Sequence, residues 1–96
     1  MLFVATCVDK PQSLETRKAN RDAHLAYLNG LGRRVKVGGA LLAEDRQTPI
    51  GSMIIFEGES EKDVLGLLSE DPYSQAGLFE SVSVRPWRPG VGQTLL

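Results

Sequence analysis

Two short runs decide most of what this chain can fold into. Leu2-Phe3-Val4-Ala5-Thr6-Cys7-Val8 and Ser52-Met53-Ile54-Ile55-Phe56-Glu57 carry apolar side chains at odd and even positions alike. Successive side chains of a strand point to opposite faces, so a strand of this kind belongs at the centre of a sheet that is covered on both sides. Each run is bounded by turn-forming or charged residues, which keeps it to strand length.

Between and after these runs the period changes. From about Ser13, Leu14, Leu25, Leu28 and Leu31 fall at helical spacings, with Glu15, Arg17, Lys18 and Arg21 as the polar side. Ser13 is the expected N-cap, and Gly30 or Gly32 the expected stop. Arg33 to Leu42 alternates as a half-exposed strand, Val35, Val37, Gly39 and Leu41 on one side and Arg34, Lys36 and Gly38 on the other. The Gly38-Gly39 pair marks a bulge or a close approach. Residues 43–51 read as a polar loop.

Ser60 and Asp63 form a variant capping box ahead of a helix whose face is Val64, Leu65, Leu67 and Leu68, kept short by Gly66. Asp71 to Gly77 reads as a single turn of helix with an acidic cap, proline at its first position and glycine at its end. Leu78 to Trp87 alternates as a last strand.

The order strand-helix-strand-strand-helix-strand gives an α+β, ferredoxin-like βαββαβ domain: a four-stranded antiparallel sheet with both helices on one face. The domain spans residues 1–88, and residues 89–96 form an extended tail that orders only against a partner subunit. The two central strands place apolar side chains on the bare face as well. A chain of 96 residues removes only roughly 60–65% of its unfolded surface from water, so pairing two sheets face to face as a homodimer is the expected way to cover it.

Composition excludes several functions. Eleven Lys and Arg stand against twelve Asp and Glu with no basic stretch, which argues against nucleic acid as a partner. The opening apolar run is too short for a membrane span and lacks a cationic leader, so a cytoplasmic protein is expected. Cys7 is the single cysteine and reads as a small buried hydrophobe; with one cysteine and one histidine, no metal site is expected. No phosphate-cradling glycine loop is present, and no cofactor is implied.

Candidate chemistry gathers around the sole histidine. His24 precedes Leu28 and Leu31 by four and seven residues, on or beside the buried stripe of the first helix. Asp71 is positioned to cap the turn opened by Pro72. A carboxylate has room for several donors, so Asp71 can cap that turn and hold an imidazole N–H together, which would poise His24 as a general base. The alternatives are a hydrogen-bonded core histidine and a purely structural cap. Ser52 and Tyr73 offer a hydroxyl and a phenol to orient a small-molecule substrate.

The residues Arg21-Asp22-Ala23-His24-Leu25, Gly38-Gly39 with Leu41, Gly51-Ser52, Asp71-Pro72-Tyr73 and Glu80 to Trp87, taken in order, resemble the YCII-related (YciI-like) family from Met1 to about Arg88. The resemblance implies a dimeric α/β barrel related in fold to muconolactone isomerases, with a histidine and aspartate pair, here His24 and Asp71, in a cleft. A relative acting on a chlorinated dienelactone implies that the scaffold supports lyase-like chemistry. Ala40 stands where the family pattern has proline after the glycine, which bears on the adjoining pocket.

The expectation is therefore a small cofactor-independent enzyme that moves a proton on a small organic acid or lactone, with His24 and Asp71 catalytic and Ser52, Tyr73 and Gly39 at the substrate. The alternatives are a non-catalytic small-molecule binding or regulatory dimer and a purely structural dimerisation module.

Overall fold

The computed structural model describes residues 1–92. Its elements run β1 (Leu2–Asp9), α1 (Leu14–Gly30), a 3₁₀ turn (Gly32–Arg34), β2 (Val35–Leu42), β3 (Pro49–Glu57), α2 (Glu61–Ser69), α3 (Pro72–Gln75) and β4 (Phe79–Trp87). The strands form one antiparallel sheet in the order β2-β3-β1-β4. The two doubly apolar runs are its central strands, and the fold is the expected ferredoxin-like one.

Direct pairing of Phe3 with Phe56, Ala5 with Ile54 and Cys7 with Ser52 sets these residues on one face. Phe3, Ala5, Cys7, Ile54 and Phe56 there join Leu28 of α1 and Val64 and Leu68 of α2 in the core. Burying side chains of this size contributes about 1.5–3 kcal/mol each. The Tyr27 hydroxyl donates to the Leu67 carbonyl at 2.6 Å and ties α1 to α2. The opposite face carries Val4, Met53, Ile55 and Leu41, with no helix over it among the described residues; of these four, Ile55, between Val4 and Val37, is buried.

Several local expectations change. Ser13 holds the N-cap position, but its side chain makes no cap bond and its hydroxyl donates to the Pro11 carbonyl at 3.3 Å. Helix α1 ends at Gly30, and Gly32, at φ +59°, turns the chain into the 3₁₀ segment, so β2 begins at Val35 rather than Arg33. Ser60 accepts from the Asp63 N–H at 3.1 Å as expected, but the Asp63 carboxylate reaches back to the N–H of Glu59 at 3.0 Å, not to that of Ser60. Leu65 is exposed, while Val64 and Leu68 of α2 are buried in the core and Leu67 packs against it. Residues 89–92 form neither helix nor strand, and the rest of the expected tail, 93–96, lies outside the described residues.

The most consequential change is in β2. The register passes from Val35 opposite Phe56 to Val37 opposite Ile55, a bulge at Lys36. A one-residue slip exchanges the faces of everything beyond it. Val35 therefore faces the helices, while Val37, Gly39 and Leu41 pair with residues of the open face. Gly38 and Ala40, opposite Ile54 and Ser52, are turned toward the helix side.

Candidate functional site

The site is built where one face of α1, the short α3 and the middle of the sheet meet. Asp71 caps α3 in an extended conformation, and its Oδ1 accepts from the Tyr73 N–H at 2.9 Å. Proline follows at the first helical position, where no N–H is needed. The same carboxylate stands 2.9 Å from His24 Nδ1 through each of its oxygens. It is wholly buried, and His24 is 7% exposed. Both expected roles of Asp71 are thus met by one side chain.

Because an ionised carboxylate can only accept, Nδ1 is the donor of this contact, and in the neutral imidazole Nε2 is then the nitrogen with the lone pair. The imidazole is held in its plane by Tyr73, whose ring stacks on it with centroids 3.8 Å apart and 12° between planes. Tyr73 in turn lies edge-on to Phe79 at 6.0 Å. Burial pushes the Tyr73 phenol above its ordinary pKa, against the opposing pull of the Arg17 and Arg21 charges, so it stays protonated near neutrality.

The residue that the sequence reading placed on the wrong side is Arg17. It is 5% exposed, and its Nε and Nη2 reach Asp9 Oδ2 and Oδ1 at 2.7 and 3.0 Å. Nη2 also donates to Ser52 Oγ at 2.9 Å, and the guanidinium carbon lies 4.7 Å from the centre of the Tyr73 ring. Burial works to lower the Arg17 pKa, but the hydrogen bonds and charge of Asp9 outweigh it and the net direction is upward. Asp9 reaches this position at a register shift between β1 and β4, where Val8 pairs with Ser81 and Asp9 with Phe79. The available signal was spacing: Arg17, Arg21, His24 and Leu28 follow one another by four, three and four residues, a single helical stripe.

These residues border a cavity of about 310 Å³, at the small end of the range for ligand sites and sized for one ring. Arg17, Arg21 and His24 line one side, Ser52, Ile54 and Tyr73 the floor, and Val35, Gly38, Gly39 and Ala40 the rim from β2. Ser52, Tyr73 and Gly39, the expected substrate contacts, all border it; Gly39 contributes backbone, since its register position belongs to the open face. A side chain on Gly38 would meet Ile54 at 3.3 Å, so glycine there keeps the cavity wall low. Asp71 stands behind His24 and outside the lining. Cys7, beneath the site and fully buried, has its thiol pushed up to about 12 by burial and then by the Asp71 charge, which leaves it unreactive.

Comparison with known proteins identifies the family and the fold. The model of the YCII-related domain matches residues 1–88. Protein YciI of Escherichia coli O6:H1 is 39% identical over 95 residues, covering 92% of this chain and 97% of the relative. An uncharacterised protein of Haemophilus influenzae is 33% identical over the same shares. Among solved structures, the 5-chloro-2-hydroxyhydroquinone dehydrochlorinase TftG of Burkholderia phenoliruptrix AC1100, in complex with 2,5-dihydroxybenzoquinone, superposes with a TM-score of 0.84 at 38% identity, covering 94% of this chain and 96% of that one. A protein of Bacteroides thetaiotaomicron, at 16% identity and a TM-score of 0.55 over 98% of this chain and 95% of its own, shares the fold alone. On the family match and on the extent of identity to its relatives, the chain belongs to the YCII-related family.

Proposed function

We propose that this protein is a small cofactor-independent enzyme in which His24 Nε2 is a general base, its tautomer and orientation set by Asp71. The observation that carries the reading is the pairing of a buried imidazole with a fully buried carboxylate, at the wall of a ring-sized cavity. A hydrogen bond to one ring nitrogen fixes the other as the acceptor, and a positioned base of this kind contributes typically 10²–10⁴ in rate.

The chemistry such a site supports is proton abstraction from carbon or hydroxyl beside a carbonyl. Return of that proton to another atom of the substrate is an isomerisation; departure of a leaving group such as chloride with its bonding electrons is a lyase reaction. Small cyclic organic acids, lactones and hydroxylated quinols are the substrate class, the last suggested by the dehydrochlorinase neighbour. The reading includes a homodimer formed through the open sheet faces and a cytoplasmic setting; among the described residues no helix is long and apolar enough to cross a membrane.

The test is a panel of these compounds in deuterated buffer, followed by proton NMR for exchange at carbon and by an electrode for released chloride. Exchange or release that is lost in His24→Gln supports the enzyme. Compounds that bind to the wild type and are never exchanged or cleaved would make it a binding module built on the same cleft.

A further inference from the structure

A base that removes a proton beside a carbonyl leaves negative charge on oxygen, and that oxygen requires a fixed donor. We propose that Ser52 is this donor, aimed by an Asp9–Arg17 ion pair, so that the cavity has an oxyanion-stabilising half assembled separately from the His24–Asp71 half. The inference rests on the proton-transfer reading above and adds to it a catalytic hydroxyl and its positioning residues.

The hydrogen-bond inventory points to it. Arg17 Nη2 carries two hydrogens; one goes to Asp9 at 3.0 Å and the other to Ser52 Oγ at 2.9 Å. The serine oxygen is therefore an acceptor on its buried side, and its own proton has no acceptor among the described residues. Ser52 is 3% exposed and borders the cavity, so the space available to that proton is the cavity itself. A hydroxyl that accepts from a guanidinium is polarised and becomes a stronger donor.

The charge around the cavity has the matching sign. Its lining contains Arg17, Arg21 and His24 and no carboxylate; Asp9 and Asp71 each stand behind the group they orient. Arg21 makes no ion pair among the described residues. The ligand that this wall favours is a planar oxyanion, a phenolate or an enolate, with its charge at Ser52 and its acidic proton at His24. Arg17 does not reach the reacting atoms in this scheme; it holds the serine.

Two probes decide it: 5-chloro-2-hydroxyhydroquinone, followed by chloride release, and 2,5-dihydroxybenzoquinone, followed by titration calorimetry. Ser52→Ala is expected to lower kcat about 100-fold, the effect of losing one oxyanion donor, with KM within about threefold. The same change is expected to weaken quinone binding about tenfold. Ser52→Thr, which keeps the hydroxyl, recovers most of both. Arg17→Lys keeps the charge but cannot fork between Asp9 and Ser52, and lowers kcat as Ser52→Ala does. His24→Gln loses turnover. Should Ser52→Ala not fold, Ser52→Cys, similar in size and a weak donor, is read in its place.

Wild-type kcat and quinone affinity in Ser52→Ala, beside an inactive His24→Gln, would overturn the oxyanion role and leave the base intact. A wild type that binds the quinone without releasing chloride from its chlorinated relative removes the lyase reading for this substrate, and the tenfold affinity difference alone then decides for or against Ser52. A wild type that binds neither probe at millimolar concentration overturns the proposal.

Discussion

Replacing Asp71 by Asn keeps the shape of the side chain and changes which atom can donate. The Asn oxygen can still accept from the Tyr73 N–H, now 2.9 Å from the Asp71 oxygen, and so preserve the cap on α3. Its NH₂ group then faces His24 Nδ1, which lies 2.9 Å from both carboxylate oxygens. Two N–H donors cannot share that space, so the imidazole is expected to move its proton to Nε2 and accept at Nδ1. The base would then present a donor to the cavity, and a wrong tautomer of this kind costs on the order of 10³–10⁴ in kcat. Stability falls less, by about 1–2 kcal/mol, since one neutral hydrogen bond replaces a charged one. Asp71→Ala is different: it removes the cap, about 1 kcal/mol, and leaves a buried N–H of His24 unpaired, about 1–3 kcal/mol more. At roughly 4–8 °C per kcal/mol for a domain of this size, Tm is expected to drop by on the order of 10–25 °C. The assay for the tautomer is a long-range proton–nitrogen correlation spectrum, unambiguous because His24 is the only histidine. The same protonated nitrogen in wild type and Asp71→Asn would refute the orienting role of the carboxylate.

Three further outcomes follow from particular groups. The Cys7 thiol has a folded pKa pushed up to about 12 from 9.0, so its share of stability is complete below pH 9 and is lost as pH rises toward 12; denaturant titrations should show the wild type losing about 1.4 kcal/mol more than Cys7→Ala for each pH unit in that window. Asp63 is held below its ordinary pKa of 3.8 by the Arg34 hydrogen bond and then by the Glu59 N–H, so its contribution is present above pH 4 and lost as pH falls through the lowered value; Asp63→Asn should remove that component of acid unfolding, seen as a smaller Tm change between pH 5 and pH 2.5. A methyl group on Gly51 would clash with the Cys7 backbone carbonyl and press on Leu41 at 3.2 Å, and because backbone cannot step aside cheaply, Gly51→Ala should cost about 1–3 kcal/mol in chemical denaturation.

The fold was legible because it rests on long-range hydrophobic pattern. Leu2–Val8 and Ser52–Phe56 are apolar on both sides only if they are central, and the sheet order places them there. His24 and Asp71 were legible for a different reason: each has a local signature, helical spacing from Leu28 in one case and the Asp-Pro-Tyr turn in the other. Arg17 was hidden by its own chemistry. A charged residue among charged neighbours reads as solvent-facing, and only the Asp9 carboxylate, delivered by another element, makes its burial tolerable. The bulge suggested by Gly38-Gly39 lies instead at Lys36, since the alternation of Val35, Val37, Gly39 and Leu41 fits a regular strand and only pairing with β3 shows where the slip falls.

The bulge at Lys36 also decides which side chains of β2 border the cavity. Beyond Lys36 every side chain of β2 faces opposite to what an unbroken alternation would give, so deleting the extra residue would leave Gly38 opposite Ile54 and Ala40 opposite Ser52, whereas drawing the bulge out straight would exchange Gly38 and Ala40 at the cavity rim for Val37, Gly39 and Leu41. The cavity rim would then change by a slip of register alone, with the histidine, its aspartate and the rest of the core left as they are. As an edge strand, β2 is paired on one side only, so its register can shift while the central pairing of β1 with β3 stays intact.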